Sequence, residues 1–298
     1  MRYLDADTVT ALGPAAAVQA VTDALRDGLD PATDPARTTT HLTTGQFLLM
    51  PSQTSTTAGV KVATVAPGNP ARGLPRIQAT YLLFDRDTLA LRAALDGTAL
   101  TTLRTPAVSV AAVLPRLPDG PLRVAAIGSG PQACAHVTTL ASVRTLGRCT
   151  YLVRNPSRTP LDAVALATRP AEEALRSADV VICATSARTP LFDSTLLRDD
   201  AVVIAVGSHE PDARELESAL LRRATVVVDD VITSLREAGD VVLAIAEGAI
   251  DRADLVPMRD IVTGVTEMST DRRMVFKSVG MSWQDLVVAE AVARRVHA

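Results

Sequence analysis

The sequence predicts an α/β protein in two parts, a doubly wound parallel sheet preceded by an α+β unit whose sheet is mostly antiparallel. Three observations carry this prediction. Between residues 122 and 228, short apolar runs of strand length alternate with helical stretches, the pattern of buried parallel strands joined by crossover helices. Between 46 and 95, strand-like runs follow one another with turns and no helix between them, which suits antiparallel pairing. Aromatic residues make up only 3% of the chain against 47% for all hydrophobic residues, so Ala, Val, Leu and Ile must build the core.

The elements follow in order. An Ala- and Val-rich helix is expected over 9–29, then a Pro- and Thr-rich stretch over 31–44. Strands are expected over 46–50, 59–65, 77–85 and 89–95, with turns at Pro67-Gly68-Asn69 and Arg72-Gly73. A helix over 97–112 ends this part. The stiff crossing Leu114-Pro115-Arg116-Leu117-Pro118-Asp119-Gly120-Pro121 marks the domain boundary, giving domains of residues 1–117 and 118–282. Beyond it come a strand over 122–127, a helix over 131–146, and strands over 149–153, 180–184, 202–206 and 225–228, with helical stretches over 171–176 and 213–222. Apolar residues at helical spacing over 283–298 close the second domain or, in the assignment preferred here, return to the first.

Composition removes several classes of function. At 298 residues two domains are the default, and a net charge of −3 gives no general attraction to nucleic acid or an anionic membrane. No apolar run approaches a membrane span, and the start Met1-Arg2-Tyr3-Leu4-Asp5 lacks the basic and apolar regions of a signal peptide. Cys134, Cys149 and Cys183 have no metal-ligand spacing, so no metal is expected. The expectation is a soluble cytoplasmic protein with reduced thiols.

The chemistry begins at Gly128-Ser129-Gly130-Pro131-Gln132-Ala133, which follows a strand and opens a helix. Gly128 permits a tight turn, Gly130 lets the backbone approach a pyrophosphate, and Ala133 supplies the small third position for helix–strand packing. The exposed N–H groups and dipole of the helix start favour the anion. This is the dinucleotide turn of a Rossmann domain. After the next strand, a site specific for NAD would place a carboxylate to bond the ribose 2′-hydroxyl. Here the chain reads Arg154-Asn155-Pro156-Ser157-Arg158, where two guanidiniums, Asn155 and Ser157 can hold a 2′-phosphate. That points to NADPH, with NADH the alternative. In the first domain, Arg37, Lys61 and Arg104 stand singly within apolar or small-residue sequence; a solvated position is the ordinary fate of such a Lys, and a carboxylate ligand is the functional one.

The residues also carry a resemblance. Phe47-Leu48-Leu49-Met50-Pro51, Gly59-Val60-Lys61-Val62, Pro67-Gly68-Asn69, Gly73-Leu74-Pro75, Asp96-Gly97-Thr98 and Leu103-Arg104-Thr105 follow one another in the first part. Gly128-Ser129-Gly130, Val206-Gly207-Ser208, Val228-Asp229-Asp230 and Phe276-Lys277-Ser278-Val279-Gly280 follow in the second. In this order they resemble the ornithine cyclodeaminase/mu-crystallin family. The resemblance implies a homodimer in which residues 1–117 form a substrate-binding and dimerisation domain around a mixed sheet, facing a Rossmann domain across a cleft. It implies that Arg37, Lys61 and Arg104 contact a substrate carboxylate and the reacting centre. Ser278 and Val279 then lie near the nicotinamide, with Thr185, Val206 and Gly207 among the cofactor contacts.

The family divides between cyclodeaminases, which oxidise an amino acid and need a carboxylate base, and reductases of cyclic imine carboxylates. Where the cyclodeaminase branch has an Asp two residues after the Val-Gly pair, this chain has His209, with Glu210 and Asp212 displaced from that position. The departure favours a reductase of a small carboxylate-bearing imine such as pyrroline-2-carboxylate or piperideine-2-carboxylate, with Lys61, His209 or a water as proton donor. The alternatives are an ornithine or lysine cyclodeaminase using NAD, an alanine-dehydrogenase-like enzyme acting on an amino acid, and a crystallin-like binding protein.

Overall fold

The computed structural model describes residues 2–297, so Met1 and Ala298, the outer ends of the expected domains, lie outside the described residues. The chain divides into two compact units, residues 1–108 with 280–298, and residues 109–279. The first unit contains β1 (Arg2–Leu4), α1 (Ala6–Thr10), α2 (Pro14–Arg26), β2 (Thr38–Leu42), β3 (Gly45–Gln53), β4 (Thr57–Val65), β5 (Ile77–Asp85) and β6 (Leu91–Asp96). The helix expected over 9–29 is therefore two helices. Pro14, which cannot donate a backbone hydrogen bond, ends any continuation of α1 and begins α2 at its first turn.

These strands form one six-stranded sheet in the order β1-β6-β5-β4-β3-β2. Only β1 and β6 run parallel; the remaining neighbours are antiparallel, as the run of strands without helices predicts. Strand β2 was not legible because its Thr-rich sequence has no apolar face, and every residue of it is exposed. Strand β4 alternates buried and half-buried positions, and the period of two puts Lys61 on the buried face with Thr57, Gly59 and Ala63.

Helix α3 (Gly97–Val113) follows, and the division between units falls inside it, not at the Pro-rich crossing. Its C-terminal half is tied to the second unit through Ser109, whose hydroxyl lies 3.0 Å from Nε2 of the buried His136. The second unit runs β7 (Leu122–Ile127), α4 (Pro131–Val143), β8 (Leu146–Val153), β9 (Ala163–Ala165), α5 (Arg169–Ser177), β10 (Val180–Cys183) and β11 (Val202–Ala205). It continues with α6 (Ser218–Arg222), β12 (Ala224–Val228), α7 (Val231–Glu237), α8 (Gly239–Ala246), β13 (Leu255–Pro257), α9 (Met258–Val262) and β14 (Arg273–Lys277). All eight strands are parallel, in the order β13-β12-β14-β11-β10-β7-β8-β9. The chain leaves β7 first toward β8 and later returns to its other side with β10, so the switch point lies at the C-terminal ends of β7 and β10.

Two expected helices are shorter than their sequence pattern. That over 131–146 stops at Val143 because Leu146 already pairs with Leu122 as a strand. That over 213–222 survives only as α6, since Asp240 accepts from the N–H groups of Glu215 and Leu216 at 2.8 Å each and holds them in a loop. The closing helix, α10 (Ser282–His297), belongs to the first unit, where it packs on β3, β4, β5 and α2. No helix among the described residues is long and apolar enough to cross a membrane.

Gly239 sits where the loop carbonyls of Ala213 and Glu210 press on the start of α8, and a Cβ there would meet both. Gly239→Ala should therefore destabilise the protein by about 1–3 kcal/mol through overpacking, measured by urea unfolding. A change below 0.5 kcal/mol, the scatter of neutral surface substitutions, would contradict the packing described.

Candidate active site

The first unit gathers all three cations expected from the sequence. The alternation of β4 turns Lys61 inward, and the first turn of α10 places Gln284 and Asp285 opposite it; both acidic and amide side chains are fully buried. Lys61 Nζ donates to Asp285 Oδ2 at 2.7 Å and lies 3.5 Å from Thr101 Oγ1. Arg104 Nε donates to the other carboxylate oxygen at 3.2 Å, and its Nη1 donates to Gln284 Oε1 at 2.7 Å. Arg37 Nη2 donates to the carbonyl of Gly280 at 2.6 Å. Gly280 itself has φ +76°, and a Cβ there would lie 2.8 Å from Arg104 Nη1, so the guanidinium rests directly on this bare backbone.

Lys61 and Arg104 share one carboxylate, Asp285, and a second acid, Asp34, accepts from Ser52 Oγ at 2.6 Å and Trp283 N at 2.9 Å. Burial pushes the Asp34 carboxyl up to about 6, against those two hydrogen bonds. Burial also drives the Lys61 ammonium down to about 8, with Arg104 and Arg37 in the same direction and Asp285 opposing them. Guanidinium groups gathered in this way have the geometry to receive a carboxylate.

The second unit holds the dinucleotide turn at its switch point. Gly128 has φ +121°, and a Cβ there would lie 2.7 Å from the carbonyl of Ala184. Gly130 caps α4 with open space where a Cβ would stand, and no side chain caps the helix. Ser129 and Pro131 are exposed, Gln132 is half-buried and Ala133 is fully buried against the sheet. This bare helix start fits a pyrophosphate. At the end of β8, Arg154 and Arg158 are exposed, while Asn155 Oδ1 accepts from Ser157 N and Oγ at 3.1 and 2.7 Å. Thr185, Val206, Gly207 and Ser278 lie just beyond the C-terminal ends of β10, β11 and β14, and Val279 N donates to Asp229 Oδ2 at 2.8 Å. His209 is exposed on the loop after β11, in the second unit. Its neighbours Glu210 and Asp212 are both engaged by Arg188, the latter at 2.5 Å. Among the described residues, no group of His, Cys, Asp and Glu is arranged to hold a metal.

The sequence matches the model of the ornithine cyclodeaminase/mu-crystallin family over residues 6–298. The chain belongs to this family. It is 31% identical to a Delta(1)-pyrroline-2-carboxylate reductase of Colwellia psychrerythraea over 84% of each chain. It is 33% identical to the ketimine reductase mu-crystallin of Mus musculus, covering 78% of this chain and 74% of that one. Among solved structures, the Delta(1)-pyrroline-2-carboxylate reductase of Thermococcus litoralis, in complex with NADH and L-proline, superposes with a TM-score of 0.87 at 27% identity. That comparison covers 100% of this chain and 98% of that one.

Asp285 and Gln284 are site residues with no motif to mark them in the sequence. The available signal is an acid set among Trp283, Leu286 and Val287 in an otherwise apolar turn. Lys277 ends the apolar run Met274-Val275-Phe276, a placement that calls for a buried partner, here Asp240 Oδ2 at 2.9 Å.

Removing the shared counter-ion should be severe. Asp285→Ala leaves Lys61 and Arg104 buried without a carboxylate and should cost about 3–5 kcal/mol in urea unfolding at pH 7. A loss under 1 kcal/mol would mean that the two cations do not depend on Asp285.

Proposed function

We propose that this chain is an NADPH-dependent reductase of a small cyclic imine carboxylate, converting pyrroline-2-carboxylate or piperideine-2-carboxylate to proline or pipecolate, and that it works as the homodimer implied by the family resemblance. The observation that carries the reading is the gathering of three cations in the first unit, with Lys61 and Arg104 buried on Asp285 and the half-buried Arg37 near enough to act on the Lys61 charge. The activities named for the Colwellia, mouse and Thermococcus relatives support it.

Each residue has a role that follows from its placement. Asp285 and Gln284 hold the Arg104 guanidinium in one plane, and Gly280 holds Arg37 beside it, so both can receive a planar carboxylate with little reorganisation. Lys61, lowered to about 8, stays protonated at neutral pH yet gives up its proton more readily than a solvated lysine. It is the best placed group to protonate the imine nitrogen, and Asp285 keeps it charged and oriented. When bound, NADPH supplies the hydride that reduces the imine carbon. The dinucleotide contacts are assigned to Gly128, Ser129, Gly130, Pro131, Gln132, Thr185, Val206, Gly207, Ser278 and Val279. Arg154, Asn155, Ser157 and Arg158 are assigned to the 2′-phosphate; the Thermococcus relative holds NADH, so the preference for NADPH rests on these four. Oxidative deamination would need a free carboxylate base, and Glu210 and Asp212, the acids beside His209, are both committed to Arg188.

Incubated with each imine and NADPH, the protein should consume NADPH, whereas ammonia release from ornithine or lysine with catalytic NAD at a comparable rate would overturn the proposal. The acid must be protonated to act, so kcat/KM should be level below pH 7 and fall as pH rises through about 8. Lys61→Met should lower it at least about 100-fold, and a parent profile flat to pH 9.5 would exclude Lys61 as the donor. Arg154→Ala should raise the KM for NADPH about tenfold, the size of one charge-assisted contact, and leave that for NADH unchanged; equal effects on both would remove the 2′-phosphate assignment.

A further inference from the structure

The second unit contains a buried ionic chain that none of the roles above uses. Glu215 is fully buried, and its carboxylate is divided between two loops. Oε1 accepts from the N–H and the hydroxyl of Thr185 at 2.8 and 2.7 Å, and Oε2 accepts from the N–H of Gly207 at 2.7 Å. Thr185 follows β10 and Gly207 follows β11, neighbouring parallel strands beside the switch point where a dinucleotide binds. A Cβ at Gly207 would meet both the Thr185 carbonyl and the Glu215 carboxylate, so the two loops are closed onto this side chain with no room to spare.

Glu215 is in turn held from below. Asp240 Oδ1 accepts from Glu215 N, Asp240 Oδ2 pairs with Lys277 Nζ at 2.9 Å, and Lys277 Nζ donates to the carbonyl of Ser208 at 2.6 Å. Lys277 ends β14, the strand beside β11, so three adjacent strand ends are fastened through one chain of buried charge. Burying such charge costs stability, and an apolar side chain would pack here with less penalty. What the carboxylate adds is direction. Three donors converging on two oxygens fix two backbone segments relative to each other, which dispersion contacts do not.

We infer that Glu215 is a positioning residue for the nicotinamide dinucleotide, setting the loops at Thr185 and Gly207 in the conformation that receives it. The inference rests on the dinucleotide-binding reading of the second unit. Glu215 does not touch the cofactor in this account; it acts through the two loops.

The test is NADPH affinity, read by nucleotide fluorescence titration of the full chain without imine, alongside thermal unfolding and hydrogen exchange. Glu215→Gln keeps the shape but offers a donor where Thr185 or Gly207 also donates. The Kd for NADPH should rise at least about tenfold and the amides of Thr185 and Gly207 should lose exchange protection, while the KM for the imine stays within about twofold. A merely structural role would lower the melting temperature and the folded fraction without moving the Kd of the folded protein, and that result overturns the inference while leaving the proposed function standing. If Glu215→Gln does not fold, Glu215→Asp decides in its place. It keeps the charge near Lys277 but is one methylene too short to reach both loops, and an unchanged Kd there overturns the inference as well. A parent protein that binds neither NADPH nor NADH overturns both the inference and the reading beneath it.

Discussion

Two buried cations on one carboxylate set the terms for the first unit. Lys61 and Arg104 come from β4 and α3, and neither could be held in the interior without Asp285, which α10 brings from the far end of the chain. The last helix is therefore part of the first unit for an electrostatic reason as well as an apolar one. Its Trp283, Leu286 and Val288 are buried, and its Asp285 neutralises what β4 and α3 present. Asp285 thus serves two cations at once, and Arg37 is near enough to act on the Lys61 charge as well. Burial, with Arg104 and Arg37 in the same direction, lowers the Lys61 ammonium to about 8 against the pull of Asp285.

The second unit solves a different problem with similar means. Its core is aliphatic, with β7, β10, β11, β12 and β14 almost wholly buried, and such a sheet determines strand order but leaves the loops at the strand ends free. Glu215, Asp240 and Lys277 supply the missing direction there. The dinucleotide turn needs no such support, because Gly128 and Gly130 act through backbone geometry within a single strand–turn–helix connection.

How much of this was legible depended on the range of the interaction concerned. The strand over 122–127 and the glycine turn after it were plain, because apolar run, glycines and helix are adjacent in sequence. The helix over 97–112 and the strand over 77–85 were equally plain from their patterns. The break at Pro14, the edge strand β2, and β14 with its insertion between β11 and β12 were not read; the last depends on pairing between segments far apart in the chain. The helix over 213–222 was overestimated because local propensity says nothing of the Asp240 carboxylate that captures Glu215 and Leu216.

The same division applies to the site. From the amino-acid sequence alone follow the two-part α/β architecture, the dinucleotide turn, the pair Arg154 and Arg158, the family, and the identity of the three cations. Each rests on local pattern or on ordered motifs, which a linear chain displays directly. Only the tertiary structure decided that Lys61 faces inward, that Asp285 is its counter-ion, that His209 lies exposed in the other unit, and that Glu215 fastens two loops. Those are decisions about desolvated charge, and a buried charge takes its partner from whichever segment the fold brings beside it.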